Sequence, residues 1–355
     1  LVVSTLLSAC GSNDDNGGGS AKGGGDKGGK QDFKVGMVTD TGGVNDKSFN
    51  QGAWEGLQQF AKDNGLKIGT GVKYLESQEA SDYVPNLNQL VHGGYNLVFG
   101  VGYKMNDAIK QIATENKNAK LAIIDSVVTQ DTGDPISNVA SITFKEQEGS
   151  FLAGVVAATM TKTNKIGFVG GVKSDVISRF ENGYIAGAKT VKPNIQVFDQ
   201  YTGSFSDASK GQQIGSAMYS KGADIVFPAA GASGNGVFTE AKNHAKNGKK
   251  VWVIGVDRDQ YKEGLPEDVT LTSMVKHVDS AVQKVSKQTM NGKFPGGKHV
   301  DLGLKDDAVG LSKHSQHVSD KAMSAVKKYK QKLINGDIKA PGTKQELKKY
   351  LSSLK

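Results

Sequence analysis

The chain contains an internal repeat with an offset of 131 residues, and this repeat constrains the fold more than any other feature. The apolar segment Lys34–Val38 recurs as Lys165–Val169, and Phe49 and Phe180 follow at the same distance. Two similar strand–helix units in one chain predict two similar lobes that face each other across a cleft. Because the two phenylalanines are equivalent, opposed aromatic rings would form a slot for a planar ligand.

Short apolar runs alternate with longer helical patterns along the rest of the chain. The predicted strands are 34–39, 72–76, 97–100, 121–125, 166–170, 195–200, 225–228, 251–256 and 270–275. The main predicted helices are 48–63, 83–93, 106–115, 146–161, 178–191, 208–221, 236–247, 278–291 and 319–334. Such alternation favours parallel sheets with helices on both faces. The sequence therefore predicts an α/β protein of two doubly wound parallel-sheet lobes joined by a hinge.

The predicted division of the chain has five parts. They are the end of a signal peptide (1–9), a lipidated cysteine with a flexible Gly-rich tether (10–32), an N-terminal lobe (33–140 plus 258–298), a C-terminal lobe (141–257 plus 299–335) and a Lys-rich tail (336–355). We expect the chain to cross between lobes within 126–144, 257–260 and 296–304, and the tail to end in a short, mobile amphipathic segment.

Cys10 is the chain's single cysteine and follows an apolar run. Leu7–Cys10 matches a bacterial lipobox, in which the cysteine is acylated and becomes the mature N-terminus. The following segment, Gly11–Lys30, is too rich in Gly, Ser, Asn and Asp to bury a core, which favours a tether. We therefore expect lipid on Cys10 and attachment to the extracytoplasmic face of a cell membrane. The tether favours a Gram-positive surface, although a periplasmic anchor would look the same.

The net charge of +8 is concentrated at the C-terminal end. Residues 311–355 contain 11 lysines and three acidic residues, which is typical of a solvated surface or one near an anionic membrane. Arginine, which reads bases, is limited to Arg179 and Arg258, so no nucleic-acid partner is indicated. His314 and His317 lack an accompanying ligand set for metal. No nucleophile elbow or usable Cys–His pair indicates an enzyme, and no cofactor is implied.

Polar and Gly-rich residues gather after the predicted strands. In parallel sheets these strand ends share one edge, where ligands bind. Asp40 ends a predicted strand and is not placed to cap a helix. Its carboxylate would therefore accept hydrogen bonds from the N–H groups of a ligand. Asp46 reads more readily as a helix cap than as a ligand contact. The carboxylate of Asp257 and the ammonium of Lys276 could together bind vicinal hydroxyl groups of a ligand, or they could form an ion pair at the hinge. Asp125 could likewise contact a ligand or form an ion pair.

The segment Val38–Gln51 resembles the N-terminal signature of the basic membrane protein family of bacterial lipoproteins. These purine-nucleoside-receptor-like proteins are similar in fold to type I periplasmic binding proteins. Supporting stretches are Gly100–Tyr103, Phe151–Gly154, Lys165–Gly171, Phe180–Tyr184 and Gly255–Asp257, and the resemblance spans about residues 34–334.

The resemblance implies a role for each matching position. The base would lie between Phe49 and Phe180, while Asp40, Asn45 and Asn50 would face it. Positions near the ribose would be Asp125, Gly231, Asp257 and Lys276, the last of these matching more loosely.

The resemblance also implies a function: a substrate-binding lipoprotein that is a monomer, closes on a purine nucleoside, and serves the permease and ATPase of an ABC importer. A receptor of the same fold for a sugar or signalling molecule is the alternative. An enzyme on the same sheets fits the sequence less well, because no acid and base are paired at a useful spacing. A ligand-sensing regulator also fits less well, because the tether occupies the place of a DNA-binding motif.

Overall fold

The computed structural model describes residues 32–354, and within that range the chain alternates strands with helices. The strands are β1 (Val35–Thr39), β2 (Val72–Leu75), β3 (Leu97–Val101), β4 (Leu121–Ile124), β5 (Val139–Phe144), β6 (Lys165–Gly170), β7 (Gln196–Tyr201), β8 (Ile225–Ala229), β9 (Trp252–Asp257), β10 (Thr270–Lys276), β11 (His299–Leu302) and β12 (Val309–Leu311). The helices are α1 (Phe49–Asn64), α2 (Tyr83–His92), α3 (Asn106–Glu115), α4 (Glu146–Met160), α5 (Asp175–Val191), α6 (Ala208–Ser220), α7 (Asn235–Lys246), α8 (Val278–Met290), α9 (Asp320–Asn335) and α10 (Lys344–Ser352).

These strands form two six-stranded sheets with equivalent strand orders. The first runs β11-β5-β4-β3-β1-β2 and the second β12-β10-β9-β8-β6-β7. All neighbouring strands are parallel except β10 and β12, which are antiparallel. The equivalence of β1 with β6 and of β3 with β8 confirms the two similar units predicted from the repeat. The nine predicted strands all form, with ends displaced by no more than one residue.

The boundaries between the lobes differ from the predicted division. β5, predicted as part of a crossing, pairs with β4 as a fifth strand of the first sheet, so the chain first crosses at Lys145. β10 pairs with β9 in the second sheet, whereas 258–298 was assigned entirely to the N-terminal lobe. β11 returns to the first sheet although 299–335 was assigned to the C-terminal lobe. In each case the strand belongs to the sheet of the strand with which it pairs in parallel: β5 pairs with β4, β10 with β9, and β11 with β5.

The central strands are buried along their whole length. Every residue of β1, β3, β4 and β8 is buried, as their unbroken apolar runs predict for parallel strands covered on both faces. In the second lobe α4 packs against α5 and is itself almost entirely buried. The strands therefore hold their carboxyl ends rigidly at the edge where the loops of both lobes meet.

The close contact between α4 and α5 depends on glycines. A Cβ atom added at Gly187 would overlap the carbonyl oxygen of Phe151, and one at Gly154 would overlap that of Tyr184. We expect Gly187→Ala to push the helices apart and lower the free energy of unfolding by about 1–3 kcal/mol. Gly52→Ala on α1 is the control, since its added Cβ would meet no atom within 4 Å. Urea titration measures both, and equal stabilities would contradict the account.

The C-terminal segment packs against the second lobe, contrary to the expectation of a mobile end. Tyr350 on α10 places its hydroxyl 2.8 Å from Thr190 Oγ1, and its ring lies 6.1 Å from that of Phe151. Asn182 Nδ2 donates to the carbonyl of Gly342 at 2.8 Å. The amphipathic pattern that suggested a free helix instead supplies an apolar face for docking. Cys10 and the predicted tether up to residue 31 lie outside the described residues.

Among the helices between residues 32 and 354, none combines the length and apolar character needed to cross a bilayer.

Candidate functional site

A cavity lies between the lobes at the carboxyl ends of both sheets. Ligands of parallel α/β sheets bind beyond such strand ends. The lining residues come from both lobes and are Asp40, Gly42, Asp46, Phe49, Asn50, Gly102, Tyr103, Asp125, Val176, Ile177, Phe180, Phe205, Ala229, Ala230, Gly231, Val256, Asp257 and Lys276.

One end of the cavity, which we call the Asp40 end, presents hydrogen-bond acceptors. Asn50 Nδ2 donates to Asp40 Oδ1 at 2.8 Å and to Asp46 Oδ2 at 3.1 Å. The backbone N–H of Gly42 also donates to Asp40 Oδ1, at 2.9 Å, so both bonds converge on one oxygen. Asn50 Oδ1 is buried and has no partner within the described residues. Asp40 Oδ2 and Asn50 Oδ1 are therefore placed to accept from the N–H groups of a ligand.

Burial perturbs both carboxyl groups at this end. It raises the pKa of Asp40, although the hydrogen bonds from Asn50 and Gly42 oppose the shift. It also raises the pKa of Asp46, to about 7, against backbone hydrogen bonds from Asn50, Ser48 and Gln51. The sequence left the N-cap open between Asp46 and Ser48; Ser48 occupies that position, while Asp46 accepts from the backbone N–H groups of Asn50 and Gln51. Asp46 also accepts from Asn50 Nδ2 and so holds this side chain beside the cavity. Perturbed carboxyl groups in a cleft are typical of functional sites.

Aromatic rings from both lobes enter the cavity. Phe49 and Phe180 both line it, but the Lys276 ammonium lies within cation–π distance of each, 4.9 Å from the first ring and 5.5 Å from the second. A third ring, Phe205, contacts Tyr103 edge-on at 6.4 Å between centroids. Tyr103 follows Gly102, where an added Cβ would lie 3.3 Å from Asp40 Oδ2. Phe205 therefore lies toward the Asp40 end, whereas Phe49 and Phe180 both lie beside Lys276.

The opposite end, the Lys276 end, holds a buried network of four charges. Lys276 Nζ lies 2.6 Å from Asp125 Oδ2 and 3.0 Å from Glu146 Oε1. Arg179 Nε contacts the other oxygen of Glu146 at 2.6 Å. Burial opposes the charge on Lys276, but the carboxylates of Asp125, Glu146 and Asp257 outweigh it and raise the pKa of the ammonium. Lys276 thus stays charged in a site with little access to water.

Asp125 and Asp257 occupy equivalent places after β4 and at the end of β9. Both adopt a left-handed backbone conformation, with φ of 69° and 65°, which is uncommon for residues other than glycine and clusters at functional sites. Burial raises the pKa of Asp125 to about 6 despite the charge of Lys276. Asp125 Oδ1 is buried and has no partner within residues 32–354. This oxygen remains available to accept a hydrogen bond from a ligand hydroxyl.

The lobes are held together around the cavity by direct hydrogen bonds. Ser48 Oγ donates to Asp257 Oδ2 at 2.5 Å, and Gln260 Nε2 donates to the carbonyl of Lys47 at 2.8 Å. Asn235 Nδ2 donates to the carbonyl of Asp46 at 3.2 Å. The structure therefore shows a closed arrangement, in which each lobe supplies part of the cavity wall.

Eight of the nine predicted ligand positions line the cavity, and these are Asp40, Phe49, Asn50, Asp125, Phe180, Gly231, Asp257 and Lys276. Asn45 does not, because it is exposed in the turn before α1. Gly231 has a φ of +56°, and an added Cβ would lie 3.2 Å from the Phe205 carbonyl oxygen, so the loop requires glycine there.

Sequence reasoning missed several residues of the site. Phe205 follows β7 in a Ser-rich loop, so only its place beyond a strand end signalled it. Tyr103 belongs to the stretch Gly100–Tyr103, yet the sequence does not predict it as a ligand contact. Glu146 reads as an ordinary acidic residue in the first turn of a helix, and its contact with Lys276 is visible only in three dimensions.

Comparison with known proteins agrees with this geometry. A family model described as ABC transporter substrate-binding protein PnrA-like matches residues 33–344. A Listeria innocua protein named CD4+ T-cell-stimulating antigen is 51% identical over 346 residues, which cover 95% of this chain and 94% of that protein. The ABC transporter nucleoside-binding protein BmpA of Lactococcus lactis subsp. cremoris is 48% identical over 324 residues, covering 88% and 90%.

A solved structure shows the same architecture. The solute-binding protein of an ABC transporter system from Aeropyrum pernix K1 superposes with a TM-score of 0.80 at 25% identity, covering 91% of this chain and 97% of that one. The two sheets, the cavity between them and the family match lead to one conclusion. The chain belongs to the Bmp family of PnrA-like ABC transporter substrate-binding proteins.

Proposed function

We propose that this protein binds a purine nucleoside between its lobes and presents it to an ABC importer. The observation that carries the proposal is the division of one cavity into two chemically different ends. The Asp40 end offers acceptors for the N–H groups of a base, and the Lys276 end offers a donor and carboxylate acceptors for ribose hydroxyls. The name of the relative that is 48% identical, a nucleoside-binding protein, supports the same ligand class.

The aromatic rings suggest how the base is held. Phe49 would cover one face of the base. Phe180, the equivalent ring of the second lobe, would cover the other face, and Phe205 would flank the base on the side of Tyr103. Asp257 and Lys276 would lie near the ribose.

The lipid anchor and the partners are part of the proposal. Lipid on Cys10 would hold the protein at the extracytoplasmic face of the membrane, where residues 11–31 would act as a tether. From there the closed lobes would meet the permease, and ATP hydrolysis would drive release of the nucleoside. A single chain contributes every wall of the cavity, which favours a monomer as the functional unit.

Thermal unfolding with a panel of ligands tests the function. The protein, refolded from denaturant to remove carried-over ligand, is heated with inosine, guanosine, adenosine, cytidine, uridine or ribose. A ligand that binds only the folded form raises the melting temperature. We expect purine nucleosides to do so and ribose not to. A shift with ribose or another sugar alone would reject the proposal in favour of a sugar receptor of the same fold.

Phe49→Ala is expected to weaken purine nucleoside binding. Stacking of a base on an aromatic ring contributes roughly 1–3 kcal/mol, so the dissociation constant should rise about 5- to 150-fold. Isothermal titration calorimetry measures this change. Phe294→Ala is the matched control, because it removes another half-buried ring from the N-terminal lobe without touching the cavity. Equal affinities of the two variants would contradict the stacking role.

A further inference from the structure

We propose that Glu146 and Arg179, which are not among the residues lining the cavity, form a positioning pair that fixes the Lys276 ammonium for the hydroxyl groups of the ligand. This inference rests on the nucleoside function proposed above and adds two residues to it. Neither residue touches the cavity, so both would act through Lys276. Specificity for ribose would then depend on a charge arrangement behind the cavity wall.

Glu146 is the central member of the arrangement. Its side chain is fully buried at the first residue of α4, and its two oxygens contact different cations. Oε1 accepts from Lys276 Nζ at 3.0 Å, and Oε2 accepts from Arg179 Nε at 2.6 Å. Burial favours the neutral acid, yet the two cations outweigh it and hold the pKa of Glu146 below its usual value. The carboxylate therefore stays charged and bridges the two cations.

The bridge limits where the Lys276 ammonium can point. A lysine ammonium has three N–H donors, and Asp125 Oδ2 and Glu146 Oε1 use two of them. The aromatic faces of Phe49 and Phe144 lie 4.9 Å and 5.1 Å away and supply no further lone-pair acceptor. Because Lys276 lines the cavity, its third N–H is available for a ligand oxygen.

Asp125 completes the pair of groups offered to the ligand. Its Oδ2 is held by Lys276, so the carboxylate cannot rotate freely and Oδ1 remains buried without a partner. One N–H donor and one carboxylate acceptor then lie side by side, as two neighbouring hydroxyls require. Without Glu146, Lys276 would have only Asp125 to hold it and would lose this fixed direction.

Arg179 ties the arrangement to the C-terminal segment. Its side chain is about one quarter exposed, and a Cβ added at Gly342 would lie 3.4 Å from Arg179 Cγ. Asn182, on the same helix, holds the carbonyl of Gly342 at 2.8 Å. The docked segment before α10 therefore packs against Arg179 and keeps its guanidinium directed at Glu146. The positive charge of Arg179 also offsets that of the Glu146 carboxylate.

The test compares ligands with and without ribose hydroxyls. Calorimetry gives the dissociation constants of guanosine and 2′,3′-dideoxyguanosine for wild type and Glu146→Gln. In this variant the amide oxygen can accept from only one cation, and the amide NH₂ faces the other. Wild type should prefer guanosine by roughly 10- to 150-fold, the range for a hydrogen bond to a charged group. The variant should lose most of that preference while binding the dideoxynucleoside within about threefold of wild type.

Two further variants keep the result interpretable. Glu148→Gln makes the same charge change in the same helical turn, where the Glu148 carboxylate accepts from the backbone N–H of Leu304, and it should leave the preference unchanged. Arg179→Gln alters a partly exposed position and should lower the preference in the same direction, which carries the test if Glu146→Gln does not fold. A purely structural role would weaken both ligands equally.

The outcomes separate the two proposals. If wild type binds neither compound, the proposed function fails, and this inference fails with it. If wild type prefers guanosine and both Glu146→Gln and Arg179→Gln keep that preference, the function stands and the positioning pair is overturned. Loss of the preference in these variants, together with its retention in Glu148→Gln, supports the inference.

Discussion

Lys276→Met is expected to lower the free energy of unfolding by about 3–5 kcal/mol and to abolish measurable nucleoside binding, because it leaves two buried carboxylates without their shared cation. Asp125 and Glu146 lie 2.6 Å and 3.0 Å from the ammonium in wild type. Methionine fills a similar volume, so the loss reports the charge rather than a cavity. Chemical denaturation and calorimetry measure the two effects.

The pH dependence of the Lys276→Met protein provides a further check. Without the cation, burial would raise the pKa of Asp125 in the folded state further above that of the unfolded chain, while Glu146 would keep Arg179 as its remaining cation. Groups with raised pKa values bind protons more tightly when folded, so stability falls as pH rises through those values. The destabilisation should therefore be larger at pH 8 than at pH 4. Lys120→Met, at an exposed position, is the matched control and should change neither stability nor binding. A destabilisation independent of pH would contradict the charge account.

Asp40→Asn is expected to weaken guanosine binding by roughly 10- to 150-fold without destabilising the protein, since hydrogen bonds to charged groups contribute about 1.5–3 kcal/mol. Both protein hydrogen bonds to Asp40 converge on Oδ1, and the amide oxygen of asparagine can retain them. The amide nitrogen would replace Oδ2, so a ligand N–H would meet a donor instead of an acceptor.

Stability should respond in the opposite direction to binding. Burial raises the pKa of Asp40 in the folded state, so wild type loses stability as pH rises above the ordinary carboxyl range. Asparagine does not titrate and escapes this loss. The melting temperature of Asp40→Asn should match that of wild type near pH 4 and equal or exceed it at pH 8. Thermal unfolding at pH 4 and at pH 8 measures the stability, and calorimetry measures the guanosine affinity. Unchanged guanosine affinity would remove Asp40 from the site.

Much of the fold was predictable because its signals are local or repeated. Unbroken apolar runs such as Leu97–Val101 specify buried parallel strands, and the repeat of Phe49 at Phe180 specifies two equivalent lobes. The pairing of β5 and β10 could not be read in the same way. The segment of β5 lies in a stretch that resembles a linker, whereas β10 is predicted as a strand but assigned to the wrong lobe. The place of each is fixed by its pairing, β5 with β4 and β10 with β9, and that pairing exists only once the sheets form.

Site residues that lie at strand ends could be predicted from the sequence, whereas residues whose position depends on tertiary packing could not. Asp40, Asp125 and Asp257 follow or end strands, and all three line the cavity. Asn45 lies between residues of a shared motif, but its side chain faces solvent while that of its neighbour Asp46 is buried. Motif position does not determine the direction of a side chain within a turn, so this contact could not be resolved from sequence.

The residues behind the cavity were the least predictable part. Glu146 meets Lys276 only because α4 begins immediately after the first crossing between lobes, and Arg179 reaches it from α5. Each of these residues has an ordinary explanation in its own helix. The charge balance among four residues from different elements becomes visible only when the two lobes are assembled around the cavity.

The central claim is that the cleft binds a purine nucleoside through both of its ends, and a calorimetric titration of the refolded protein with guanosine tests it most directly. The account predicts saturable binding of one nucleoside per chain, with free guanine and free ribose each binding at least about tenfold more weakly, since each forms hydrogen bonds at one end alone. Absence of guanosine binding, or equal affinity for guanosine and ribose, would contradict it.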